Sequence, residues 1–127
     1  MTSPFEPRSN SWASAFRRAA RGVAWGVRSQ RNFKVHLPIA IAVVIAAAVL
    51  GATLVEWCLL LLAIAIVLAA ELFNTAIEHL ARAVTREQHE ELRNALDTAS
   101  GAVLLASAGA AAVGAVIFLR LLAAAMG

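Results

Sequence analysis

A chain of 127 residues in which 61% are hydrophobic is too apolar for an ordinary soluble domain, where about half of the residues are apolar. Its length leaves room for one domain and none for a separate nucleotide-binding domain. The formal charge is +3 at pH 7, but the basic residues flank apolar runs as topology signals do, and this placement argues against nucleic acid as a partner. The lone cysteine, Cys58, excludes a disulfide within one chain.

The first part of the chain is predicted to lie outside the hydrocarbon. Residues 1–10 contain two prolines and several polar residues, which indicates a disordered leader. Residues 11–30 have helical periodicity, with Trp12, Phe16 and Val23 in one sector and arginines on the opposite side. A packed soluble helix has the same pattern, but the apolar runs that follow favour a helix lying in the membrane surface.

Three apolar runs follow, at about 35–55, 57–84 and 96–125, and each is long enough to cross ~30 Å of hydrocarbon. The predicted fold is therefore an all-α membrane protein, with residues 11–127 forming one domain of a surface helix and three transmembrane helices. Small residues recur at every fourth position of the third run, which permits close helix packing; they are Ala106, Ala110 and Gly114.

Lysine and arginine set the predicted orientation. They are concentrated before the first run and between the second and third, and the turn between the first and second runs has none. The positive-inside rule then places the N-terminus in the cytoplasm and the C-terminus outside. It also places the functional groups at the cytoplasmic edge of the bilayer.

The second run contains the clearest functional pattern. Glu71, Asn74, Thr75 and Glu78 have helical spacing and share one face. Glu71 is expected about 10 Å inside the hydrocarbon boundary and Glu78 at the interface. Two carboxylates with an amide suit a divalent cation such as magnesium with phosphates, and a proton acceptor for a hydroxyl. The alternative is a polar seam that holds membrane helices together.

Other polar groups have weaker patterns. Asp97 at the start of the third run could support a ligand, but it also suits the first turn of a helix. Arg31 could meet phosphates or act as a topology charge. The three histidines are too scattered to predict a metal site, and no glycine-rich phosphate loop is present.

Residues 71–107, ELFNTAIEHLARAVTREQHEELRNALDTASGAVLLAS, resemble the signature of the prokaryotic diacylglycerol kinase and undecaprenol kinase family. SQRNFKVHL at residues 29–37 is similar to the stretch that enters the first span in that family, and its RNF-x-x-H pattern favours the undecaprenol kinase branch. The resemblance covers residues 11–125. The matching positions of the signature are Glu71, Asn74, Thr75, Ala76, Ile77, Glu78, Ala95, Asp97, Gly101 and Ala102.

This resemblance implies a bacterial inner-membrane lipid kinase that transfers the γ-phosphate of ATP to a lipid alcohol, diacylglycerol or undecaprenol, with Mg²⁺. It also implies a homotrimer with composite active sites between subunits. In the roles it suggests, Glu71 is the base at the lipid hydroxyl and Glu78 the magnesium ligand. Asn74 orients the site, and Asp97 supports the nucleotide.

Two positions depart from the family pattern. Gln30 replaces a glutamate metal ligand and offers a carbonyl oxygen without charge, and Leu96 replaces a lysine that would neutralise phosphate. Arg31 and Arg93 are candidates for the lost positive charge. The departures favour the alternative of a weakened or inactive member acting as a membrane scaffold or lipid-binding protein, which the intact polar face of the second run opposes. A channel would need polar groups through the full membrane depth, and the outer halves of the spans are almost wholly apolar.

Overall fold

The computed structural model describes residues 11–127, so the predicted leader at residues 1–10 lies outside the described residues. The described chain forms four helices and no strand. They are α1 (Trp12–Ser29), α2 (Phe33–Val49), α3 (Leu54–Val84) and α4 (Glu90–Met126). The predicted all-α class is therefore confirmed.

Helix α3 is the centre of the structure, because α1, α2 and α4 all pack against it. A small apolar core joins α2, α3 and α4 near the α2–α3 turn, and its buried members are Ala47, Leu60, Ile117 and Leu121. Many large apolar side chains elsewhere are exposed, among them Ile45, Leu62 and Leu105. Such a surface suits contact with lipid rather than water.

Helices α3 and α4 are each long and apolar enough to cross a membrane. Helices α1 and α2 pass the same test only as a pair, and their axes meet at 105°. A bend near a right angle is what a helix along the membrane surface requires before a helix that crosses it. The apolar face of α1 remains uncovered, with Trp12 93% and Phe16 78% exposed, as expected for a surface helix.

The α2–α3 turn lies earlier in the chain than the apolar runs indicate. Helix α2 ends at Val49, and Gly51 takes a left-handed conformation with φ 73° that suits glycine. Thr53 then caps α3 through a reciprocal pair of hydrogen bonds with Glu56. The apolar residues on both sides continue the hydropathy signal through this turn, so hydropathy alone does not locate it.

Helix α4 also begins earlier than the apolar run, at Glu90 instead of near residue 96. Glu90 and Glu91 occupy its first turn, where negative charge interacts favourably with the helix dipole. The charged connection therefore shortens to a few residues, and α4 extends beyond its apolar part.

An ion pair joins α3 to α4 at the end of the bundle that contains the α2–α3 turn. The Arg120 guanidinium donates to both carboxylate oxygens of Glu56, with Nη2 2.7 Å from Oε2. The contact joins the first turn of α3 to the last part of α4. It also gives a partner to the only acidic group near that end of the described chain.

Candidate functional site

The polar face predicted on α3 is present and mostly buried. Glu71 is 1% exposed, Thr75 3% and Asn74 5%, although apolar side chains surround them along the helix. Glu78, two turns further along, is partly exposed. Helical spacing places these groups in a row from the apolar part of α3 towards its C-terminal end.

Both carboxylate oxygens of Glu71 have partners from the start of α2. His36 Nε2 lies 2.9 Å from Oε1, and Asn32 Nδ2 donates to Oε2 at 3.3 Å. The carboxylate thus has polar neighbours despite its burial, which offsets the cost of removing it from water. The His36 side chain is 25% exposed, so it forms the accessible side of this pair.

Asn74 links the buried row to Glu78. Its Nδ2 donates to Glu78 Oε1 at 2.9 Å, and its Oδ1 receives a long contact of 3.5 Å from the Ser100 hydroxyl of α4. Arg82, one turn beyond Glu78, lies 3.4 Å from Glu78 Oε2. One oxygen of the Glu78 carboxylate therefore contacts the Asn74 amide, and the other contacts the Arg82 guanidinium.

Glu78 opens on a cleft of about 640 Å³ between the end of α3 and the start of α4. Its wall includes two arginines, Arg82 and Arg86, and also Leu96. The other lining residues are Ala81, Thr85, Glu87 and Leu92. Two carboxylates and two guanidinium groups in one wall suit a phosphate chain with a bound cation, because guanidinium binds phosphate well and carboxylate binds hard cations.

Helix α1 packs on the neighbouring face of α3, where Leu72 and His79 each follow a glutamate of the polar face by one residue. The rings of Trp25 and His79 are 4.5 Å apart in an edge-to-face arrangement, and Gln30 Nε2 lies 3.5 Å from His79 Nε2. Gly26 is buried here against Leu72. The surface helix is therefore positioned by the helix that bears the carboxylates.

The other charged residues that the sequence analysis considered for the site do not line the cleft. Arg31 and Asp97 are exposed, and neither lines the cleft. Arg93, the other candidate for a replacement cation, is exposed as well. The arginines in the wall of the cleft are Arg82 and Arg86, and the spacing of four residues between Glu78 and Arg82 is a sequence signal for the contact between them.

Two further residues of the site have no local sequence signal. His36 and Asn32 meet Glu71 from a different helix, 35 and 39 residues away along the chain. Among residues 11–127 no group of three histidine, cysteine or acidic side chains could hold a metal ion by itself.

The fold and the polar face define an all-helical membrane protein with paired carboxylates at one end of its bundle. Residues 17–118 match the family model described as prokaryotic diacylglycerol kinase. The chain belongs to this family of membrane lipid kinases, which confirms the resemblance seen in its sequence.

Two curated relatives cover most of the chain. An undecaprenol kinase of Bacillus subtilis is 34% identical over 110 residues, which are 87% of this chain and 89% of the relative. A diacylglycerol kinase of a Synechocystis species is 37% identical over 119 residues, covering 88% of this chain and 68% of the relative. The two names agree on a lipid kinase and differ in the lipid.

Proposed function

We propose that the protein transfers the γ-phosphate of ATP to a lipid alcohol at the cytoplasmic face of a bacterial inner membrane. The observation that carries the proposal is the polar face of α3. It presents a buried carboxylate, Glu71, on the apolar side and a partly exposed carboxylate, Glu78, beside an arginine-lined cleft. One helix thus offers an acidic group to each of two substrates with opposite solubility.

The expected depth of the two carboxylates in the membrane supports the proposal that Glu71 serves the lipid and Glu78 serves the nucleotide. Glu71 and Glu78 are separated by seven residues, or about 10 Å of helix. A lipid hydroxyl lies just below the headgroups, and ATP remains in water, so the reaction must take place where their reach overlaps. We propose that removal of the proton from the lipid hydroxyl depends on the Glu71 carboxylate and that Asn74 orients the site.

The nucleotide end fits a magnesium ion with phosphates. Glu78 offers carboxylate oxygens, and Gln30, whose amide nitrogen faces His79, would add a neutral carbonyl oxygen. Bound magnesium would neutralise charge on the transferring phosphoryl group. Arg82 and Arg86 would hold phosphate oxygens, with Arg31 and Asp97 at the outer margin of the nucleotide site.

The magnesium role of Glu78 is testable by titration. Glu78→Gln should keep the hydrogen bond from Asn74 but lose the charge, so the magnesium concentration for half-maximal turnover should rise about tenfold or more. Glu91→Gln, a change of the same type at an exposed position in the first turn of α4, serves as the control. An unchanged magnesium titration would remove Glu78 from the metal role.

A polyprenol is our first candidate for the lipid, and diacylglycerol is the second. The RNF-x-x-H stretch and the near-complete coverage of the undecaprenol kinase relative support this order. The decisive experiment offers both lipids in parallel, in mixed micelles with radiolabelled ATP and magnesium. Transfer of label to either lipid supports the kinase, and the ratio of the two rates identifies the preferred lipid.

A second candidate function is a non-catalytic lipid-binding or scaffold protein. It is favoured by Leu96, an apolar residue in the wall of the cleft, and by Gln30, which brings no negative charge. This candidate predicts retained lipid binding with no label transfer to either lipid. The double substitution Leu96→Lys with Gln30→Glu should then create or increase the transfer.

A further inference from the structure

The two side chains that contact Glu71 come from one turn at the start of α2. Asn32 is the N-cap of this helix, and the backbone N–H of His36 donates to the Asn32 carbonyl at 3.0 Å. Each side chain contacts a different oxygen of the carboxylate. His36 Nε2 lies 2.9 Å from Oε1, and Asn32 Nδ2 lies 3.3 Å from Oε2. The spacing between the two donors is therefore fixed by the helical turn to which they belong.

The Asn32 side chain does not play its ordinary local role. Asparagine is among the preferred N-cap residues, because its side-chain oxygen accepts from the first backbone N–H groups of a helix. At the start of α2 the Asn32 side chain makes no such bond, and its backbone is helical rather than extended. The amide contacts Glu71 instead, from a distant part of the chain. A residue that departs from its local preference in this way is typical of a functional site.

The two contacts leave the carboxylate able to react. An ionised carboxylate has about four acceptor positions, two on each oxygen, so one position remains on each oxygen of Glu71. Because both oxygens are held, the plane of the carboxylate is fixed, and so are the directions of the remaining positions. Neither an amide nor a neutral imidazole adds a full positive charge, which would oppose the uptake of a proton by the carboxylate.

We propose that Asn32 and His36 are positioning residues that hold the Glu71 carboxylate in the orientation in which it takes the proton of the lipid hydroxyl. This inference rests on the proposed lipid kinase function and deepens it. Glu71 is the group that meets the substrate, and the two donors act through it. Orientation of a base by a further residue matters because a displacement of about 1 Å can lower a rate about 100-fold.

Substitutions at His36 test the contact with one carboxylate oxygen. His36→Leu removes the donor to Oε1, and we expect kcat at saturating lipid to fall about 10–100-fold. His36→Gln can place an amide N–H where Nε2 lies and should recover most of this loss, because the proposed role requires a donor and not a ring. The KM for ATP should not change in either variant, since Glu78 lies about 10 Å further along α3.

Asn32→Leu tests the contact with the other oxygen and should lower kcat by a similar factor. Each substitution is then repeated in a Glu71→Gln background. A residue that acts through the carboxylate loses its effect when the carboxylate is absent, so each double variant should have the kcat of Glu71→Gln alone. A merely structural role would lower kcat by the same factor in both backgrounds.

The measurements use the full chain in mixed micelles, with the lipid that the wild type phosphorylates. His89→Leu is the matched control for His36→Leu, because His89 is exposed and its side chain makes no capping bond. Ile117→Ala is the control for lost stability, since Ile117 is buried in the apolar core near the α2–α3 turn. It should lower the thermal midpoint and keep kcat near that of the wild type when turnover is measured below this midpoint.

The outcomes distinguish the two levels of the proposal. A wild-type chain that transfers no phosphate to either lipid overturns the kinase function and this inference with it. An active wild type overturns the inference alone if His36→Leu and Asn32→Leu keep its kcat, if His36→Gln is no faster than His36→Leu, or if the losses recur in full in Glu71→Gln. If one of the two leucine variants does not fold, the other decides the question through its own carboxylate oxygen.

Discussion

At the residue scale, Glu71 is the position on which the proposed reaction depends most. Glu71→Gln retains the shape of the side chain and an oxygen that can accept from His36 or Asn32, but removes the negative charge. We expect turnover to fall about 10²–10⁴-fold, because the amide cannot take up the proton of the lipid hydroxyl. The comparison is kcat at saturating lipid and ATP, with Glu90→Gln at an exposed position as the control. Near-wild-type turnover of folded Glu71→Gln would contradict the role.

Part of this site can be predicted from the sequence because its residues lie close together along one helix. Glu71, Asn74 and Glu78 share a face through the helical repeat alone, and the Glu78–Arg82 contact follows the same spacing. His36 and Asn32 reach Glu71 only because α2 packs against α3. That packing depends on the tertiary fold, so no window along the chain contains the information. Their roles, like those of the predicted site residues, remain predictions.

At the element scale, Gly26 decides how α1 lies on α3. A Cβ atom added at Gly26 would approach Leu72 Cδ2 to 2.5 Å, whereas one added at Gly22 meets nothing within 4 Å. Gly26→Ala should therefore force the flexible end of the Leu72 side chain to move, which offsets part or all of the gain in helix propensity of about 1 kcal/mol and makes this variant less stable than Gly22→Ala. Turnover should also fall, because Gln30 and Asn32 follow α1 directly.

Gly22→Ala is the matched control, since it gains the same helix propensity and makes no clash. Thermal unfolding in detergent and turnover in micelles are measured for both variants. We expect the midpoint to be lower for Gly26→Ala than for Gly22→Ala, and to hold or rise for Gly22→Ala. Equal midpoints and equal turnover in the two variants would show that the close approach of α1 to α3 at Gly26 contributes neither to stability nor to activity.

The helices themselves are predictable from hydropathy, but their ends are not. Long apolar runs exclude other spanning structures, because the backbone must satisfy its own hydrogen bonds in lipid. The ends depend on single residues that hydropathy does not weigh. Gly51 and the Thr53–Glu56 capping box place the α2–α3 turn within an otherwise apolar stretch, and Glu90 starts α4 within a charged one.

At the scale of the whole molecule, the distribution of charge predicts the orientation in the membrane. Arg28 and Arg86 lie at the proposed cytoplasmic end, and Glu56 with Arg120 lies at the other. The arginine at the outer end is paired with a carboxylate, which weakens it as a competing topology signal. In a Cys58→Ser background, Glu87→Cys and Ala52→Cys should react with an impermeant thiol reagent from opposite sides of the membrane. Labelling of Ala52→Cys from the cytoplasmic side alone would overturn the orientation.

We expect the active form to be a homotrimer, because one chain leaves both halves of the site incomplete. Within residues 11–127 Glu78 belongs to no group of three acidic, histidine or cysteine side chains that could hold a metal ion, and the cleft beside it is open. A groove of about 320 Å³ between α2 and α4, which His36 helps to line, is also open on one side, and the small residues Ala110 and Gly114 lie in its wall. A neighbouring helix could approach such a surface closely and bring further polar groups to the margin.

Two copies with different tags, expressed together, should purify together, while copies mixed after solubilisation should not. Light scattering corrected for detergent should give three chains per particle. A monodisperse monomer with full lipid kinase activity would rule the trimer out, and a stable dimer with full activity would correct the number while keeping the shared site.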